Sequence, residues 1–230
     1  MLLWGSRTVP DPVPASLASQ RLRWQQSTSV EISGFLEYNH ALAGSVKRAA
    51  CSRHTAQLVT KEIANMTTFT LTSPDIPAGG TIAPVFESDM FGCGGANASP
   101  VLQWSGAPEG TQSFAVTVYD PDAPTGSGWW HWMVVDIPAS VTSLAANAGE
   151  KGGANLPAGA RQMRNDYGIF AWGGMCPPPG DKPHRYIFTV HALSVAKLDM
   201  PDDATTAIGG FMINANTIAK ASFTSTYARA

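Results

Sequence analysis

Two short stretches of this chain concentrate the side chains that could do chemistry. The first is Tyr119-Asp120-Pro121-Asp122-Ala123-Pro124-Thr125-Gly126, closely followed by Trp129-Trp130-His131-Trp132. The second is Cys176-Pro177-Pro178-Pro179-Gly180, followed by His184-Arg185-Tyr186. Together they supply two Asp, two His and one Arg among prolines and tryptophans. Imidazole N–H groups can donate to a small anion, and a carboxylate beside an imidazole fixes its tautomer and favours the cation. Proline and tryptophan rings would give such a cavity rigid, partly apolar walls. Phosphate, sulfate or carboxylate groups suit it. Asp-Pro-Asp-Ala-Pro is also a good turn in its own right, because Asp side chains bond nearby backbone N–H groups and proline presets φ. Arg185 reads as a structural partner for Asp120 or Asp122, ordering the rim at little net energy.

Other chemistries are less well served. The His and Asp residues lack the local spacings of common metal sites, so neither a metal nor a cofactor is expected. Cys93 and Cys176 lie in Gly/Pro-rich loops, where a structural role, a mutual contact or a nucleophile beside a histidine all remain open. Gly92-Cys93-Gly94-Gly95 lacks the Lys-Ser/Thr ending of a phosphate-binding loop. Trp129, Trp130 and Trp132 have no basic groove beside them, so nucleic acid is not an expected partner. His191 sits within an apolar strand and reads as structural.

The elements that must position these residues are mostly strands. Ser113–Tyr119 alternates Phe114, Val116 and Val118 with Ala115, Thr117 and Tyr119, apolar on both sides as a central strand requires. Trp132–Ile137 and Tyr186–Leu193 read as buried strands, Thr67–Ser73, Thr81–Phe86 and Ser99–Trp104 as shorter ones, and Phe223–Tyr227 as a final edge strand. Asp120 and Asp122 follow one strong strand, while His131 and His184 begin two others. If these strands are antiparallel neighbours, all converge at one rim. Two helices are expected. One is short, at 140–148. The other spans 203–219, capped by Asp202 or Asp203, with Ile208, Phe211, Met212, Ala215 and Ile218 at helical spacing.

Four motifs in order then carry a resemblance. They are Asn97-Ala98-Ser99-Pro100-Val101-Leu102-Gln103-Trp104, the Asp-Pro-Asp-Ala-Pro run from Asp120, Ser127–Val135 (SGWWHWMVV), and Pro177-Pro178-Pro179-Gly180 with His184-Arg185-Tyr186. From about Phe69 to Tyr227 the chain resembles the phosphatidylethanolamine-binding protein (Raf kinase inhibitor-like) family, in its bacterial branch. The resemblance implies a mostly β fold: an antiparallel sheet packed on a smaller sheet, with one or two peripheral helices. It implies a non-catalytic pocket for phosphate-like anions and phospholipid headgroups. Asp120, His131, Pro178 and His184 would line it, Asp122 and Pro124 would shape its wall, and Arg185, Trp130 and Tyr186 would support it. It further implies a cis bond between Ala123 and Pro124. The alternative role it implies is an inhibitor or modulator of a protease or kinase, and a homodimer is among the implied partners. A cytoplasmic location, without stable membrane insertion, is expected.

Composition divides the chain. Its 15 Lys/Arg and 17 Asp/Glu fall as seven and four before Met66, and eight and thirteen from Met66 onward. Charged residues are 14% of the whole, against about 25% in an average domain. Residues 1–65 show no sustained period, and 66–230 are expected to form the single domain. The first 65 residues are expected to be a disordered tail or a non-native extension. Lys61-Glu62 can be encoded AAG-GAG, a bacterial ribosome-binding sequence, with three codons of spacer before Met66. On that reading Met66 is the start.

Overall fold

The computed structural model describes residues 68–229. The expectations for residues 1–65, including the start at Met66, lie outside the described residues. Among those described, eight strands and one α-helix follow in chain order: β1 (Thr70–Thr72), β2 (Leu102–Ser105), β3 (Ser113–Asp120), β4 (Trp129–Pro138), β5 (Ser143–Leu144), β6 (Arg161–Gln162), β7 (His184–Leu193), α1 (Thr206–Asn216) and β8 (Thr217–Tyr227). They make a three-stranded sheet, ordered β1-β2-β5, and a five-stranded sheet, ordered β6-β4-β3-β7-β8. Every pairing between these strands is antiparallel. The mostly β fold with a larger and a smaller sheet is therefore as the resemblance implied, with β3 at the centre of the larger one.

The alternation along β3 builds two cores. Phe114, Val116 and Val118 face Leu71, Leu102, Trp104 and Leu144 of the small sheet. Ala115 faces the other way, into a cluster with Met133, Val135, Leu198 and Ile213 beneath α1. Both faces of the large sheet are thus covered, which is why its central strands carry few polar side chains.

Two bulges in β4 matter. Opposite the step from Phe114 to Val116, β4 runs from Ile137 to Val134, so it carries an extra residue there. Asp136 absorbs it at φ 58°. Its carboxylate accepts from Arg161 Nε at 2.6 Å and from the Leu198 N–H at 2.8 Å. The second bulge lies opposite Val118–Tyr119, which pair with Trp132 and Trp130 and leave His131 unopposed. Trp132 then points into the small-sheet core and Trp130 toward the helix-side cluster. An extra residue re-aims the side chains around it. Here it frees His131 from the ladder.

Three secondary-structure expectations are corrected. Thr81–Phe86 is not a strand: Thr81 makes an isolated bridge to Thr226, and Pro84–Phe86 winds into a 3-10 turn. Pro84 has no N–H to give a ladder. The helix expected at 140–148 is instead β5 followed by turns, because the stretch has only Leu144 and Ala148 to bury and Leu144 pairs with Leu102. The second helix is shorter than expected, 206–216, and is capped by Thr205, whose side chain accepts from the Ile208 N–H at 3.3 Å. Asp202 pairs with Arg161 instead of capping. Helical spacing misidentified the buried face. Gly209 and Ile213 pack inward, while Ile208 and Phe211 are exposed. A Cβ on Gly209 would strike the Met133 sulfur, so the helix approaches β4 through its glycine. The final strand starts at Thr217, directly from the helix, and forms an edge of the large sheet.

Candidate functional site

The ends of β3, β4 and β7 meet at one rim, as the strand reading required. Asp120 pairs with Trp129 across β3 and β4, and Tyr119 pairs with Ile187 across β3 and β7. A cavity of about 270 Å³ opens there. Asp120, Pro124, His131, Pro178 and His184 all line it, joined by Trp129, Tyr167 and Phe91.

Asp120 is buried and fully engaged. Its Oδ1 accepts from the N–H groups of Asp122 at 2.8 Å and Ala123 at 3.1 Å. Its Oδ2 accepts from His184 Nδ1 at 2.8 Å. The turn and the imidazole contact are thus made by one carboxylate. On its other side, His184 Nε2 lies 3.4 Å from Asp181 Oδ2. His184 is 2% exposed, so these carboxylates substitute for water.

His131 is held differently from the expectation. No carboxylate bonds it. Its Nδ1–H donates to the carbonyls of Gly173 and Gly174, at 2.8 and 3.1 Å. Burial pushes its pKa below the usual histidine value, more than those carbonyls and the charges of Asp120 and Asp166 push it up. That direction favours the neutral ring, and the two carbonyls at Nδ1 place its proton there, leaving the lone pair on Nε2. Nε2 is buried and has no partner. The expected donation from a cationic His131 is replaced by an acceptor.

The Gly173-Gly174 segment is itself fixed. The Gly174 N–H donates to Asn97 Oδ1 at 2.7 Å, and the Tyr167 hydroxyl donates to the Gly174 carbonyl at 2.7 Å. A Cβ at Gly173 would strike the Tyr167 ring, and one at Gly174 would strike the backbone at Phe86–Ser88. Only glycine permits that approach. The rings pack in sequence, Phe91 stacked on Tyr167 and the Trp129–Tyr167 and His131–Tyr186 pairs edge-on. Phe91 lies 5.7 Å from Tyr167, Trp129 5.2 Å from Tyr167, and His131 5.1 Å from Tyr186, centroid to centroid.

The remaining expected site residues sit behind or beside the cavity. Asp122 does not line it. Its carboxylate turns outward and accepts from the Arg185 N–H at 2.9 Å, Nε at 2.8 Å and Nη2 at 2.9 Å. That hydrogen-bonded guanidinium holds the Asp122 carboxyl well below the usual carboxylate range. Arg185 is thus the expected structural partner, of Asp122 and not Asp120. Tyr186 backs the cavity, with a buried hydroxyl that has no partner. Trp130 faces away, stacked on Tyr119 at 4.6 Å. The Ala123–Pro124 bond is not cis, since no cis bond occurs among the described residues. The Thr125 N–H donates to the Ala123 carbonyl at 2.8 Å, and this tight turn about Pro124 makes the corner with a trans bond.

Sequence reasoning missed Tyr167, Phe91 and Asp181. Tyr167 comes from the irregular segment after β6, and its only local signal is the Asn165-Asp166-Tyr167-Gly168 turn. Of the openings left for Cys93 and Cys176, the structure takes the mutual one. They form a disulfide with Cα atoms 6.0 Å apart, closing the Gly-rich loop onto the proline-rich wall. Arg229 reinforces that seam, with Nε 3.2 Å from Glu87 Oε1 and Nη2 donating to the Gly92 carbonyl at 2.9 Å.

A five-stranded antiparallel sheet covered by a smaller one, with a His/Asp-lined pocket where its central strands end, defines a recognisable class of small β protein. The chain belongs to the phosphatidylethanolamine-binding protein family, which it matches over residues 72–228. It is 55% identical over 159 residues to the UPF0098 protein YbcL of Escherichia coli, covering 69% of this chain and 87% of the relative. It is 43% identical to the UPF0098 protein YbhB of the same organism over 157 residues, 68% of this chain and 98% of the relative. The crystal structure of E. coli YbcL, described as a new member of the mammalian PEBP family, superposes with a TM-score of 0.70 at 53% identity. That match covers 71% of this chain and all of the other.

Proposed function

We propose that this protein binds small phosphorylated ligands in the rim cavity and performs no chemistry on them. The observation that carries the reading is the pair of unpartnered buried polar atoms on residues that line the cavity, His131 Nε2 and Trp129 Nε1. A buried polar group without a partner costs about 1–3 kcal/mol, and a polar ligand removes that cost. The cavity's apolar rings suit the carbon portion of such a ligand. A binding role is favoured over catalysis because the lining offers no activated nucleophile. Cys176 is tied in the disulfide, and the His131 proton is committed to two carbonyls. A phosphorylated headgroup fits the family's description and the cavity's size.

The disulfide bears on location. Such bonds persist in oxidising compartments and are rare in reducing cytosol. The reading therefore favours the cell envelope or the exterior over the cytoplasm first expected. No helix among the described residues is long and apolar enough to cross a membrane. Calorimetry with inorganic phosphate and phosphoethanolamine tests the binding. Millimolar or tighter affinity, lost in His184→Ala, is expected. No heat at roughly 10 mM ligand, a concentration that populates any site of millimolar Kd, would overturn the reading.

A further inference from the structure

The pocket presents an acceptor where an anion site would be expected to present a cation. His131 Nδ1–H faces two carbonyl oxygens, so the proton cannot leave that nitrogen without stranding both. Nε2 then carries the lone pair. The charged groups that face this ring give little reason for it to gain a second proton. Asp120 has its oxygens filled by two backbone N–H groups and His184. Asp166 is occupied by the Trp130 N–H at 2.8 Å and the Thr206 hydroxyl at 2.9 Å. Tyr167 and Tyr186, packed on the ring, are phenols whose pKa values burial drives upward, so they are neutral.

Among the described residues, no Lys or Arg lines the cavity. Asp120 is the one carboxylate in its lining, bonded to His184, while Asp181 lies on the far side of His184, partly exposed and outside the lining. A dianion would meet the Asp120 carboxylate with no Lys or Arg in the lining to offset its second charge, in a place where screening is weak. A ligand with one charge and one hydroxyl meets about half that repulsion and offers a donor as well. Its hydroxyl donates to His131 Nε2, and an ionised oxygen accepts from Trp129 Nε1–H, which can only donate.

We propose that the pocket selects a phosphate monoester in its singly protonated, monoanionic form, with His131 Nε2 accepting the hydrogen bond from the ligand's own hydroxyl. The inference rests on the binding reading above and adds the protonation state that is bound. It makes His131 a specificity-determining residue. The monoester can be a free metabolite or a lipid of the phosphatidic acid type, since both present the same group.

The test compares methyl phosphate with methyl sulfate and dimethyl phosphate by calorimetry from pH 5 to pH 8. All three are monoanions at pH 5, but only methyl phosphate has a hydroxyl. Methyl phosphate is expected to bind about tenfold more tightly than the other two at pH 5, one good hydrogen bond's worth. Its affinity should then fall by roughly tenfold per pH unit above about pH 6, as the second ionisation of the phosphate removes the bound species. The affinities of methyl sulfate and dimethyl phosphate should not follow that decline. The phosphorus NMR titration of bound methyl phosphate should be displaced to higher pH than that of the free ester. His131→Phe should bring methyl phosphate down to the level of methyl sulfate, and the wild-type comparison stands even if that variant does not fold. Dihexanoyl phosphatidic acid added as a further ligand separates the sources: tighter binding than methyl phosphate favours the lipid, equal binding the free ester. Equal binding of all three small anions at pH 5, or affinity for methyl phosphate that rises with pH, would overturn the inference while leaving the binding reading intact. If none of them binds, the binding reading falls, and this one with it.

Discussion

Each oxygen of Asp120 has its own duty: Oδ1 closes the turn through the Asp122 and Ala123 N–H groups, and Oδ2 holds His184. Asp120→Asn keeps the size but puts an amide where one of those acceptors was. Loss of about 2–3 kcal/mol of stability is expected by denaturant titration, together with loss of phosphoethanolamine binding. His191 gives a separate prediction. Burial, aided by Lys220 directly across the strand pair, pushes its pKa down to about 4. The unfolded value is about 6.5, so between those values the unfolded chain takes up a proton that the native state refuses. Stability therefore falls as pH drops through that window, by on the order of 3 kcal/mol. Buried His131 acts with the same sign. Melting curves between pH 7 and pH 4 should show the fall, and His191→Gln should flatten it. At this scale the sequence was legible where chemistry was clustered: Asp120, His131, Pro178 and His184 all reach the cavity. It was opaque in two ways. Tyr167 arrives from 36 residues beyond His131, which no local pattern encodes. The role of His131 depends on carbonyls that composition cannot show.

The elements were legible in proportion to their burial. Strands β3, β4 and β7 carry mostly apolar runs on both faces, as a doubly covered sheet requires, so their existence and convergence followed from residue types. The helical spacing of Ile208 and Phe211 misled, because the close contact is made by Gly209, a residue without a side chain to signal it. The two bulges in β4 were also invisible, since an extra residue declares itself only through its partner strand. One of them predicts a large effect. Asp136→Ala would leave Arg161 and the Leu198 N–H without their buried acceptor. A loss of about 3 kcal/mol is expected by thermal denaturation, against under about 1 kcal/mol for Asp202→Ala, whose carboxylate is exposed. The disulfide joins residues 83 apart, so chain-entropy arguments give it on the order of 4 kcal/mol. Cys93→Ser with Cys176→Ser should lower the melting temperature and weaken ligand binding, because the Phe91 loop and the proline wall lose their tie. An unchanged melting temperature would contradict that.

As a whole molecule, the chain averages two unlike compositions. The compact unit from Met66 to Ala230 contains the whole family match. It holds eight Lys/Arg and thirteen Asp/Glu, so its excess is acidic. Among the described residues, Asp120 is the one of those charges that lines the cavity. A chain beginning at Met66 is expected to keep the melting temperature and ligand affinity of the full one. Loss of either would show that residues 1–65 contribute to the fold or the site. The central claim is that a phosphorylated ligand sits at the rim between His131 and His184. Nitrogen-15 NMR of the histidine side chains during a phosphoethanolamine titration tests it most directly. The account predicts saturable shifts of His131 and His184 and of the Trp129 indole, with His191 unmoved. Shifts confined to the other large groove, beside Lys151 and Arg161, would contradict it.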